Sequence, residues 1–185
     1  ILLLQESLNK DMQMQIIGSA HRESYLASIT DGMTGLYNRR HMTQILKQVK
    51  PPYSVAMLDI DDFKEINDTY GHRFGDRIIR YIASNLVGHV RSSDYVFRYG
   101  GDEFVVIFPG CPPENAKTVV EKIAHLLKQH SLEYEDKTVP VTFSGGVYYV
   151  ETPQDADIIL DRVDNPLYKS KKEGKDRVAI FALDP

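Results

Sequence analysis

Over the first 29 positions, apolar residues recur every three or four places (Ile1, Leu4, Leu8, Met12, Ile16) and no proline interrupts them. That spacing predicts a helix with one apolar stripe. Gly18 weakens it and no strict heptad is sustained, so a coiled-coil linker and a helix packed on its own domain both stay open. Thr30-Asp31-Gly32 breaks the helix, and a second is expected over 38–50, stopped by Pro51-Pro52. Residues 53–60 form a short apolar run closed by acids, which predicts a strand. Helical spacing returns over 63–70 and from Asp76 to about 90, with Gly71-His72-Arg73-Phe74-Gly75 as a loop between. Strands are expected over 94–99 and 104–108. Gly100-Gly101 between them suggests a two-residue type I′ turn, which needs positive φ at both positions. A helix over 114–130, a strand over 139–150, a helix over 156–173 and a strand over 177–181 complete the pattern.

The order is β-α-β-β-α-β with added helices. It predicts an α+β, ferredoxin-like domain: an antiparallel sheet with helices on one face. We expect residues 30–185 to be this domain and 1–29 to be a helix leading from a domain upstream. With 185 residues, 42% of them hydrophobic, the chain is long enough to bury a sizeable core. The net charge of −4 argues against a general nucleic-acid binder. Cys111 is the only cysteine, which excludes an intrachain disulfide and suits a cytoplasmic setting. No run approaches the ~18 apolar residues of a membrane span. The first residue is not Met, so we expect a piece of a longer protein whose upstream part carries a sensor or a membrane attachment.

Two acidic sites stand at predicted strand ends: Asp59-Ile60-Asp61-Asp62, and Asp102-Glu103 after the Gly-Gly pair. Crowded carboxylates repel, and a cation relieves them. Hard oxygen donors without Cys or paired His favour Mg²⁺ or Mn²⁺; the alternative is a pair of solvated turns. Lys171 and Lys175 are four apart in a basic run, where one helix face either grips phosphate or is a solvated helix end. Asn67, His72 and Asp76 offer donors and acceptors for a base edge. Asp76 also suits a helix N-cap, and His72 a loop hydrogen bond.

Together these segments are more specific. RYGGDEF (98–104) closely resembles the signature of the GGDEF family of diguanylate cyclases. DGMTGLYNRR (31–40), DIDDFKEINDTYGHRFGD (59–76), SGGV (144–147) and PLYKSKKEGKDRV (166–178) resemble further family blocks in the same order. Met33 stands where Leu is usual. The resemblance spans about residues 30–181 and implies a fold like the nucleotidyl cyclase and polymerase palm.

It also implies roles. Asp59, the Ile60 carbonyl and Asp102 would hold Mg²⁺ or Mn²⁺. Asp102, Glu103 and Lys64 would be catalytic, with Asp102 accepting the proton of the attacking 3′-hydroxyl. Asn67, His72, Asp76, Gly100, Gly101, Lys171 and Lys175 would bind substrate, the glycines by letting backbone approach the nucleotide. Position 175 is more often Arg in the family, so its grip is reduced to a point charge. The implied reaction condenses two GTP into cyclic di-GMP and two pyrophosphates across a homodimer of half-sites. Arg91 and Asp94 match the family's RxxD product-inhibition motif, with cyclic di-GMP as the inhibitor; a bare RxxD also suits a local salt bridge. The alternative function is an inactive GGDEF domain that binds GTP or cyclic di-GMP and signals to a partner.

Overall fold

A computed structural model describes residues 18 and 21–181 of the chain. The apolar positions from Ile1 to Ile16 that suggested a coiled coil lie outside the described residues. Helix α1 (21–29) leads to β1 (Tyr37–Asn38), α2 (Arg39–Gln48), β2 (Tyr53–Ile60), α3 (Phe63–Tyr70) and α4 (His72–His89). Then come β3 (Tyr95–Arg98), β4 (Glu103–Pro109), α5 (Pro113–Gln129), β5 (Leu132–Tyr134) and β6 (Lys137–Val139). The last elements are β7 (Phe143–Val150), α6 (Ala156–Lys172) and β8 (Val178–Ile180).

The main sheet has the order β1-β3-β4-β2-β7-β8, and β5-β6 is a separate hairpin. Its inner strands β3-β4-β2-β7 are antiparallel, linked through α3-α4 and α5, which is the expected ferredoxin-like core. The expectation of helices on one face is corrected. Ala56, Leu58 and Ile60 of β2 face α4 and α5, whereas Val55 and Met57 face Met42 and Leu46 of α2 and Ile159 and Val163 of α6. Both faces are covered, so β2 reads as a nearly continuous apolar run instead of alternating. The sheet is also not wholly antiparallel, because β1 runs parallel to β3 and β8 to β7.

Three local expectations change. The Gly71–Gly75 loop is absent: Gly71, with φ 81°, alone separates α3 from α4, and its N–H closes α3 on the Asn67 carbonyl at 2.9 Å. The turn at Gly100-Gly101 is not type I′, since neither glycine has positive φ. The connection is instead the four residues 99–102, with the Tyr99 N–H on the Glu103 carbonyl at 2.9 Å. The strand expected over 139–150 starts only at Phe143, after the unpredicted β5-β6 hairpin. Pro140 has no N–H to give to a ladder.

Candidate active site

The end of β2 is the centre of the site. Asp59 lies in register with Glu103 of β4 on one side and Ser144 of β7 on the other. The Ile60 N–H donates to the Asp102 carbonyl at 3.2 Å and fastens the 99–102 loop to β2. Asp59, Asp102 and Glu103 therefore share one end of the sheet. Burial pushes the Asp59 carboxyl above the usual carboxylate range, an effect that the Lys171 ammonium opposes and the Asp102 and Asp61 charges reinforce. Glu103 is raised first by burial, then by the charges of Asp59 and Asp102. Lys171 reaches from α6 to Asp59 Oδ1 at 2.7 Å.

The donor chemistry fits a hard divalent cation. Two carboxylates and the Ile60 carbonyl are oxygen donors, and the crowded negative charge is already drawing in an ammonium group. No trio of His, Cys, Asp or Glu side chains among the described residues has metal-holding geometry. Mg²⁺ held by one or two carboxylates and substrate phosphates needs none. Gly100 serves a neighbour within the chain: a Cβ there would stand 2.7 Å from Glu103 Oε2, while a Cβ on Gly101 would meet nothing within 4 Å.

The other expected residues divide. Asn67 packs on Gly75, where a Cβ would lie 2.0 Å from Asn67 Oδ1, so the bare glycine brings Asn67 beside the Gly75-Asp76 turn of α4. Asn67 Oδ1 is buried without a hydrogen-bond partner among the described residues. Asp76 lies in the second turn of α4 and is not its N-cap, which is Gly71. His72 opens α4 and is not in a loop. It lines a cleft of about 430 Å³ with Tyr70, Phe74 and Tyr134. Lys64 is exposed on α3. Lys171 and Lys175 do not share a helix face, because α6 ends at Lys172 and Lys175 sits beyond it at φ 61°. Lys175 pairs with Asp62, which holds its ammonium above the usual lysine range.

Arg91 and Asp94 line a cleft of about 620 Å³ with Leu26, Tyr37 and Val87. The local salt bridge is not formed. Asp94 Oδ2 instead accepts the Arg91 backbone N–H at 2.8 Å, leaving the guanidinium without a carboxylate partner among the described residues.

Two supports escaped sequence reasoning. Asp61, 5% exposed, accepts from Thr142 Oγ1 at 2.8 Å, Ser144 Oγ at 2.7 Å and the Asp176 N–H at 3.0 Å. It ties the end of β2 to β7 and to the loop after α6. The other is Arg98, bonded to Asp31 and to the glycine loop. The only signal in the sequence was that both lie inside recognisable blocks.

A βαββαβ sheet with carboxylates gathered at its inner strand ends defines a protein of the nucleotidyl cyclase palm class. The chain belongs to the GGDEF family: the family described as "Diguanylate cyclase, GGDEF domain" matches residues 28–177. It is 31% identical over 160 residues to diguanylate cyclase DgcP of Pseudomonas aeruginosa, a match covering 83% of this chain and 24% of that protein. It is 37% identical over 164 residues to response regulator PleD of Caulobacter vibrioides, covering 82% and 36%. The chain thus spans about a quarter of one relative and just over a third of the other. Among solved structures it is similar to the coiled coil and GGDEF domain of DgcB from Caulobacter crescentus in complex with c-di-GMP. That match has a TM-score of 0.88 and 28% identity, covering 96% of this chain and 98% of that one.

Proposed function

We propose that this chain is an active diguanylate cyclase. It joins two GTP into cyclic di-GMP and two pyrophosphates, with one GTP per domain and two copies face to face. The observation that carries the reading is the joining of Asp59 and Asp102 at adjacent strand ends through the Ile60–Asp102 backbone bond. Asp59, Asp102 and the Ile60 carbonyl are the residues that would hold Mg²⁺ or Mn²⁺. Bound there, the metal supplies electrostatic stabilisation of charge on phosphate oxygens.

The chain's own groups do the rest. Asp102 takes the proton of a 3′-hydroxyl whose oxygen bonds to the α-phosphorus of the other GTP, as the bond to pyrophosphate breaks. Glu103 lies beside it, folded under Gly100. Lys64, exposed on α3, swings to the developing charge. Asn67 and Asp76 read the guanine edge, and the partnerless Asn67 Oδ1 supports that role. His72, Gly100 and Gly101 border the nucleotide. Lys171 and Lys175 exchange Asp59 and Asp62 for phosphate. Arg91 and Asp94 hold cyclic di-GMP as feedback inhibitor. The unpaired Arg91 guanidinium in its cleft supports this. In the whole protein, we infer an upstream sensory segment that places this domain in the cytoplasm, with or without membrane attachment. No helix among the described residues is long and apolar enough to cross a membrane.

The test is incubation with GTP and Mg²⁺ and identification of products by mass spectrometry. Cyclic di-GMP with two pyrophosphates, at a specific rate rising with protein concentration, is the expected result. Binding of GTP or cyclic di-GMP without turnover would replace the enzyme with a binding module.

A further inference from the structure

We propose that Asp31 and Arg98 are positioning residues that transmit the placement of α1 to the Gly100–Asp102 loop. An upstream domain or partner that shifts α1 then adjusts the geometry of Asp102. This rests on the cyclase reading only for what the loop does. The connection itself is a continuous path of hydrogen bonds.

The path starts where α1 ends. The Thr30 N–H and hydroxyl donate to the Leu26 carbonyl at 3.0 and 2.8 Å, and Asn38 Nδ2 donates to the Ser28 and Thr30 carbonyls at 2.9 and 3.3 Å. Asp31 follows Thr30 directly in the chain, and its N–H donates to the Leu36 carbonyl at 2.7 Å, which closes the turn between the end of α1 and β1. Its carboxylate accepts Arg98 Nη1 at 3.1 and 3.2 Å. The same guanidinium continues to the loop, with Nε on the Gly100 carbonyl at 3.2 Å and Nη2 on the Gly101 carbonyl at 2.8 Å. Arg98 is thus a planar, stiff link with one edge on Asp31 and the other on two consecutive loop peptides.

The two carbonyl contacts also orient the loop. In a trans peptide C=O and N–H point opposite ways, so drawing both carbonyls to Arg98 turns the Gly101 and Asp102 N–H groups away from it. Neither N–H donates to an acceptor among the described residues. The next link is the Asp102 carbonyl on the Ile60 N–H, which ends the path at the metal-site candidates.

Coupling of this kind is reciprocal. Hydrogen exchange read by NMR in the nucleotide-free protein tests it with Asp31→Asn and Arg98→Lys. Asp31→Asn should speed exchange at Tyr99, Gly100 and Ile60 about tenfold, the worth of one charge-assisted bond. Arg98→Lys should do the same at Thr30 and Asp31. In turnover, both variants should lose about tenfold in kcat, with KM for GTP within about twofold, because the reacting loop and not the guanine pocket is disturbed. Exchange altered only on the mutated side, with kcat unchanged, would overturn the proposal. If Arg98→Lys does not fold, Asp31→Asn decides alone. A wild-type chain that makes no cyclic di-GMP would defeat the cyclase reading but leave the exchange result to judge the coupling.

Discussion

Replacing Asp61 tests how the candidate site is held, apart from how it reacts. Its two carboxylate oxygens receive three donors: Ser144 Oγ on Oδ1, and Thr142 Oγ1 and the Asp176 N–H on Oδ2. Asparagine with its carbonyl in the Oδ2 position keeps two of these bonds, and its NH₂ group donates to Ser144 Oγ once that hydroxyl turns, which leaves the hydroxyl proton without its acceptor. What is lost is charge assistance and that one acceptor, about 2–3 kcal/mol in all. Alanine removes every acceptor. Ser144 is fully buried and has no water to turn to, so one stranded donor costs about 1–3 kcal/mol and the lost bonds to Thr142 and Asp176 add to it. We expect about 3–4 kcal/mol for Asp61→Ala, a large share of a typical 5–15 kcal/mol stability. Urea titration of wild type, Asp61→Asn and Asp61→Ala, compared at equal m-value, measures both numbers. An alanine variant within about 1 kcal/mol of wild type, or an asparagine variant as unstable as alanine, refutes the reasoning.

Asp59→Asn and Asp102→Asn should each abolish cyclic di-GMP formation while the circular dichroism spectrum stays native; substantial turnover in either would remove that residue from the metal assignment. Asp76→Ser should relax the preference for GTP over ATP, since one hydroxyl cannot accept two guanine N–H groups; unchanged kcat/KM ratios would return Asp76 to a structural role. Arg91→Ala should raise the cyclic di-GMP concentration needed for inhibition roughly ten- to a hundredfold, with the initial rate unchanged, as read by calorimetry and progress curves. Burial opposes ionisation of Asp31, yet Thr34 and Arg98 together hold its carboxyl below the usual range. Its contribution is therefore complete above the ordinary carboxylate pKa and lost as pH falls through the depressed one. The stability difference between wild type and Asp31→Asn should be present at neutral pH and vanish in acid; a pH-independent difference in urea midpoints would contradict it.

What could be read ahead of the structure followed range along the chain. β2 with its terminal acids was legible because an apolar run meeting Asp59 is a local event. The 98–104 hairpin was legible for the same reason, but its turn type was not. Arg98 takes the Gly100 and Gly101 carbonyls, and that side chain overrides the local preference of a Gly-Gly pair. Asp61 gave no hint of its role because its partners lie 81, 83 and 115 residues away. The spacing of Lys171 and Lys175 suggested one helix face, but α6 stops between them. Gly71 was enough to restart a helix that a five-residue motif with two glycines had made look like a loop. Periodicity also says that α2 and α6 have apolar stripes without saying which side of the sheet they cover.

The sheet ends in β1 and β8, which are two and three residues long. A growing stack of chains needs an outer strand long enough to offer a row of free N–H and C=O groups, and neither rim provides one. Copies of this chain that come together are therefore steered away from strand-to-strand stacking, the route to aggregates. Contact is left to helices and loops, surfaces that can release again.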